Sequence, residues 1–166
     1  MKNSEDRSSF VAAAGRDECI LYASAFPGFV RPLEEDLLFI RDHGVGAIVT
    51  LTEQPLLLPL KFRPFFAQLH LPVENLEPPT LSQLDRFVAF VDEQFDRGVN
   101  VVAHCLLGVG RTGTAIAAYR VSRGEEPGDA ISGLRSIRNF IETKEQEEAV
   151  SRFRDRLVKR GALPAG

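Results

Sequence analysis

The chain has 166 residues, 44% hydrophobic and 26% charged, with 20 basic against 23 acidic side chains. That composition excludes disordered, collagenous and coiled-coil classes, and a net charge of −3 gives no basic footprint for nucleic acid or anionic lipid. Two cysteines, Cys19 and Cys105, are too few for a disulfide framework, so a cytoplasmic, reducing setting is expected. The apolar run 10–14 is too short for a signal-peptide core, and the run 56–60 is broken by prolines, so no membrane span is expected. A chain of this length buries about 70% of its unfolded surface. We expect 1–166 to form one domain, a monomer, with a mobile stretch over about 1–10.

In chain order, residues 19–22 read as a short strand, turned by Phe26-Pro27-Gly28. Pro32 opens a helix that runs to His43 and ends at Gly44. Residues 47–52 are apolar on both faces, as a buried strand requires, and 68–73 form a shorter strand. The link 77–80 (EPPT) cannot be helix or central strand. Leu84, Phe87, Val88, Val91 and Phe95 share one face of a long helix closed by Gly98. Residues 99–104 are a further core strand, and 112–123 a helix of small side chains that can pack close to a sheet. Pro127 opens the next helix, and the last begins near Thr143 with its acids first and its bases last, which suits the macrodipole. Strands alternating with helices predict an α/β three-layer sandwich with helices on both faces of a sheet.

The chemistry concentrates in the string 101–114, VVAHCLLGVGRTGT, which reads as strand, glycine-containing loop and helix N-terminus. Ligands of α/β sheets sit at that end of a strand, and a helix N-terminus attracts anions. Gly108 and Gly110 let the amides of Leu106, Leu107, Gly108, Val109 and Gly110 converge on an anion. Such a field favours the thiolate of Cys105, and the guanidinium of Arg111 can grip two oxygens of a tetrahedral anion. Thr112 can hydrogen-bond the sulfur and make it a better leaving group. Together these parts suit in-line attack of a thiolate on phosphorus, followed by hydrolysis of a phosphocysteine. The bland alternative for Cys105 is a buried, inert core thiol.

His104-Cys105-x5-Arg111-Thr112 resembles the signature of the cysteine-dependent protein phosphatases. The chain is most similar to the small atypical dual-specificity phosphatases, of the dual-specificity phosphatase 23 (VH1-like member Z) type and its prokaryotic relatives. The segments 44–53, 84–88, 129–131 and 141–147 add to the likeness. The resemblance implies a central sheet of about five strands, Cys105 as nucleophile, Arg111 as phosphate clamp, Thr112 assisting breakdown of the intermediate, and His104 tuning the thiolate from behind. For His104 a satisfied strand-end histidine is the alternative.

One departure stands out. The family's general-acid aspartate falls at Asn75, within 71–80 (LPVENLEPPT), and asparagine cannot donate a proton to a leaving oxygen. Glu74 and Glu77 flank it as candidate substitute acids, or else as solvated loop carboxylates; phenolic leaving groups could also depart unaided. By resemblance Gln146 positions the hydrolytic water, although Thr143-x-x-Gln146 is itself a capping box. Arg135 and Arg138 read as solvated helix charges, with docking of the phosphosubstrate as the alternative. Cys19 reads as a buried structural thiol or a transient partner for an oxidised Cys105. No metal site or cofactor is expected. With no lysine or arginine between Cys105 and Arg111, inositol lipids are disfavoured. A phosphorylated protein or a small aryl phosphate is expected as substrate, phosphotyrosine first, with no nucleic acid or membrane partner. The rival readings are a pseudophosphatase that binds without turnover, and sulfur or arsenate transfer by a loop cysteine.

Overall fold

The computed structural model describes residues 7–166. Its centre is a five-stranded sheet in the order β1-β2-β5-β3-β4, formed by β1 (Val11–Arg16), β2 (Cys19–Ser24), β3 (Val45–Thr50), β4 (Ala67–His70) and β5 (Asn100–His104). Only β1 runs antiparallel; β2, β5, β3 and β4 are mutually parallel. The helices α1 (Leu33–Asp42), α2 (Leu81–Asp96), α3 (Gly110–Ser122), α4 (Pro127–Ile137) and α5 (Lys144–Lys159) complete the fold.

Strand periodicity divides the sheet's two faces. Ala47, Val49, Val101 and Ala103 point into a core shared with Leu84, Phe87, Ile116 and Phe153 from α2, α3 and α5. Ile48 and Val102 point the other way, onto Leu37 and Ile40 of α1 and onto Phe62. This is the expected three-layer sandwich. Helix α3 is buried from Gly110 through Tyr119, which explains its small residues: it lies against α2, α4, α5 and the sheet together. Adding a Cβ at Gly113 would bring it within 2.9 Å of Phe140. Capping boxes at Thr80/Gln83 and Thr143/Gln146 start α2 and α5.

Two expectations need correction, and two elements were not anticipated. The run 10–14 contributes to β1, an edge strand whose alanines carry little strand propensity; pairing with β2, with Asp17 at φ 54° in the turn between them, makes it a strand. The expected mobile stretch 1–10 lies partly outside the described residues. From Arg7 onward the chain is packed: Phe10 stacks on Tyr22 at 4.4 Å, and Arg7 reaches Asp36 at 3.5 Å. Strand β4 ends at His70 rather than residue 73, because its parallel partner ends at Thr50 and Pro72 has no amide to continue the ladder. Within the stretch 55–66 a 3₁₀ turn, Leu60–Phe65, buries Phe62 beneath α1 despite Pro64.

Parallel strands place their carboxyl ends at one edge. Ser24, Thr50 and His104 therefore stand side by side there, and the loop after His104 emerges between two neighbours that can bind it. Among the described residues no helix is long and apolar enough to cross a membrane.

Candidate active site

The loop from His104 to Gly110 has all its carbonyls turned outward and held. His104 O accepts from Leu51 N at 2.9 Å, and Leu106 O from Phe26 N at 2.9 Å. Cys105 O meets His104 Nδ1 at 3.1 Å. Leu107 O and Gly108 O accept from Arg138 at 2.7 and 3.1 Å. Val109 O accepts from Gly113 N and Ile141 N, and Gly110 O from Thr114 Oγ1 at 2.7 Å. With the carbonyls committed outside, the amides of 106–109 donate to no protein acceptor among the described residues. They are left for an anion, as an oxyanion cradle requires. Gly108 makes this possible: its φ is 70°, and a Cβ there would run into the Ser24 carbonyl.

Cys105 and Arg111 are each 3% exposed, beside a cavity of about 110 Å³ that also touches Asn75, Leu76 and Glu142. The Arg111 guanidinium is anchored by one nitrogen, Nη1, which donates to Val73 O at 2.8 Å and to Glu53 Oε2 at 3.0 Å. A longer contact of 3.5 Å joins Nη2 to Asn75 Oδ1. The Nε–H and a second Nη2 hydrogen are uncommitted, the pair of donors that fork onto two oxygens of a tetrahedral anion. Glu53 also accepts from Asn75 N at 2.9 Å. Hydrogen bonds from its own backbone and from Arg111 hold this carboxyl below its usual range.

His104 is fully buried between Thr50 Oγ1, 2.8 Å from Nε2, and the Cys105 carbonyl. A carbonyl only accepts, so Nδ1 carries the hydrogen and Nε2 receives the Thr50 hydroxyl. Burial pulls its pKa down to about 4, against a raising effect of the Cys105 carbonyl. It is therefore a neutral brace for the loop at neutral pH. The Thr112 hydroxyl is also fully buried, yet has no hydrogen-bond partner; the expected bond to the Cys105 sulfur is not made in this structure. An orphaned buried hydroxyl carries a desolvation cost of about 1–3 kcal/mol, which fits a group whose partner arrives with the reaction.

The second wall is the stretch 72–80. Gln146, fully buried, clasps it: Oε1 accepts from the amides of Glu142 and Thr143 at 2.8 and 3.3 Å, while Nε2 donates to Leu76 O and Glu77 O at 3.2 and 3.4 Å. The predicted cap is thus present, and the same side chain reaches the loop opposite. Asn75 lines the cavity and accepts from Arg111 Nη2 at 3.5 Å. Glu74 and Glu77 do not line the cavity; the carboxylate that does is Glu142, whose Oε2 stands where a Cβ on Gly110 would lie. Sequence reasoning missed Glu142, although it lies inside the family-like segment 141–147. It likewise missed Glu53, in the segment 44–53.

Arg138 is not a solvated charge but a partly buried one, whereas Arg135 keeps its exposure, 40% of the side chain, and still engages the neighbouring backbone. Arg135 donates to Phe140 O and Ile141 O, both at 3.2 Å, and Arg138 holds the loop carbonyls and Ser9 O. Burial lowers the pKa of Arg138, and the Cys105 sulfur is near enough to pull it the other way. Cys19 stands opposite Arg16, at the far end of β2 from Ser24. Five residues at about 3.3 Å each keep it from Cys105, so no transient disulfide is available to this fold.

An uncharacterized protein of Methanocaldococcus jannaschii is 34% identical over 87 residues, covering 51% of this chain and 58% of that protein. A second from the same organism is also matched over 58% of its length, so the chain spans somewhat less than two thirds of these curated relatives. Among solved structures, Tk-PTP in its active form superposes with a TM-score of 0.75 at 27% identity, over 89% of this chain and 97% of that one. A mouse putative dual specificity phosphatase, complexed with zinc tungstate, shares the fold with a TM-score of 0.78 at 16% identity, over 100% and 99% of the two chains. The family described as "Polymorphic toxin system, DSP-PTPase phosphatase" matches residues 23–125. That span opens in β2, against which Gly108 packs, and closes beyond α3, so it encloses the loop 104–110 with Cys105 and Arg111; the chain belongs to this DSP-PTPase phosphatase family.

Proposed function

We propose that the chain hydrolyses phosphomonoesters through a phosphocysteine, with phosphotyrosine as the preferred substrate and phosphoserine and phosphothreonine as the wider dual-specificity range. The observation that carries this reading is the cradle of uncommitted amides with Cys105 and the free edge of Arg111 at one cavity. The phosphoryl oxygens take the amides and the guanidinium. Cys105 Sγ attacks phosphorus, the P–O ester bond breaks, and a carboxyl gives its proton to the departing oxygen. Water then attacks phosphorus, returns a proton to that carboxylate, and displaces the thiolate; the Thr112 hydroxyl donates to the sulfur as it leaves. Glu142, rather than Glu74 or Glu77, is the carboxyl at the cavity, and Gln146 acts by holding the Glu142 amide and the opposite loop in register. The reaction calls for no metal or organic cofactor. A reducing cytoplasm would keep Cys105 a thiol.

Turnover of p-nitrophenyl phosphate tests the reading: Cys105→Ser abolishes it. Glu142→Gln lowers kcat by about 10²-fold on an alkyl phosphate and by less on the aryl ester, whose leaving group needs little help. An equal effect on both esters would sink the acid assignment. A second reading, a phosphate-binding module without turnover, is favoured by Asn75, an amide that lines the cavity and has no acidic proton for a leaving oxygen. Phosphopeptide binding by a wild-type protein that leaves p-nitrophenyl phosphate intact would establish it.

A further inference from the structure

The cradle locates the phosphate, so the groups around the cavity mouth meet whatever carries it. Part of the mouth is aliphatic: Leu106, Leu107 and Leu76 are 41%, 53% and 50% exposed. Leu76 is held outward at φ 68°, a left-handed conformation costly for leucine, by the bonds from Gln146 and Thr143 to its carbonyl. Carboxylates are interleaved with these leucines. Glu53 is tied to Asn75 and Arg111, Glu142 lines the cavity, and Glu74 and Glu77 are exposed at either end of the turn closed by Glu77 N to Glu74 O at 3.1 Å. Arg111 is engaged by Glu53 and Arg138 by the loop carbonyls, while Lys144 is solvated and reaches Glu148 at 3.9 Å.

Resting on the phosphatase reading, we propose that this lip selects the carrier: a phosphorylated peptide with lysine or arginine and an aliphatic or aromatic residue beside the phosphoresidue. Polyanions such as acidic phosphopeptides, nucleotides and inositol polyphosphates are turned away. The phosphate itself is satisfied by amides and Arg111, so carboxylates outside the cavity add nothing to its capture. Their field acts on the next charges along the ligand, attracting cations and repelling further anions. The exposed leucines give the flanking apolar side chain a surface that would otherwise face water.

The Cys105→Ser protein reads the lip without chemistry. Its Kd is measured for two phosphotyrosyl peptides of one length, flanked by arginine or by aspartate, in the parent and in Glu74→Lys/Glu77→Lys. Neither side chain makes a hydrogen bond or ion pair among the described residues, so the change alters charge alone. We expect about tenfold tighter binding of the arginine peptide, shrinking as salt rises and the Debye length falls from about 10 Å to about 3 Å. The double substitution erases or inverts the ratio. Equal affinities, a preference for the aspartate peptide, or a preference unmoved by the substitution overturns the proposal. Turnover of p-nitrophenyl phosphate by the wild-type chain is scored separately, so the loss of the phosphatase reading is recognisable as such.

Discussion

The two walls of the cavity are built in opposite ways. The phosphate loop, 104–112, is anchored through its own backbone: each carbonyl from His104 to Gly110 meets a donor, and its fixed shape leaves the amides facing inward. The stretch 72–80 is held by side chains from distant elements. Glu53 takes Asn75 N, Arg111 takes Val73 O, Gln83 takes Pro72 O, and Gln146 takes Leu76 O and Glu77 O. The first wall is therefore fixed through its backbone carbonyls, by the main chain of neighbouring segments together with Arg138. In the second the geometry is borrowed from side chains, and each lender can be removed.

The largest effect is expected where the walls meet. Arg111→Lys keeps the charge but loses both the anchored edge and the fork, and kcat/KM for an aryl phosphate should fall by about 10²–10³-fold. Retention of most activity would mean that the amides suffice and that the link to Val73 and Glu53 is incidental.

The first wall carries a pH signature. His104 lies at about 4 in the fold, below its ordinary value of 6.5, because burial penalises the cation. Its contribution is full above pH 6.5 and is lost as pH falls toward about 4, since the unfolded chain takes up the proton first. Between pH 7.5 and 5.0 this amounts to about 2 kcal/mol. Urea unfolding across that range should show the loss in wild type and a flatter profile in His104→Asn. Parallel profiles would remove His104 as the source.

Loosening the second wall alone is the smallest change. Gln146→Ala leaves the Thr143 cap but deletes the Gln146 half of the capping box and the clasp on Leu76 and Glu77, costing about 1–2 kcal/mol. Amide exchange should accelerate at Asn75, Glu77, Glu142 and Thr143, while the amides of Phe26, Leu51 and Gly113, which bond to the carbonyls of the phosphate loop, stay protected. Equal acceleration in both walls would show that they are one cooperative unit.

This asymmetry explains what could be read in advance. The string 101–114 reported its own structure because its turn, its helix start and its reactive side chains are all local. Helix α2 was legible from the spacing of Leu84, Phe87, Val91 and Phe95, which are all buried on one side. The strand at Val11–Arg16 was not, since Val-Ala-Ala-Ala has no intrinsic reason to extend before β2 offers it hydrogen bonds. Arg138 looked like a surface charge because nothing within its helix shows that loop carbonyls lie beneath it.

By itself the amino-acid order determined the layered architecture, the thiol at a strand end, the guanidinium six residues on, and the vacancy of acid chemistry at Asn75. Those are matters of periodicity and short spacing, and they hold for any chain that folds at all. Only the tertiary structure decided that Glu142 reaches the cavity while Glu74 and Glu77 stay outside, that Glu53 steadies Arg111, and that Gln146 joins two loops 70 residues apart. Such pairings depend on where helices α2 and α5 settle against the sheet. That choice is made by burial of their apolar faces and leaves no mark on the polar residues it brings together.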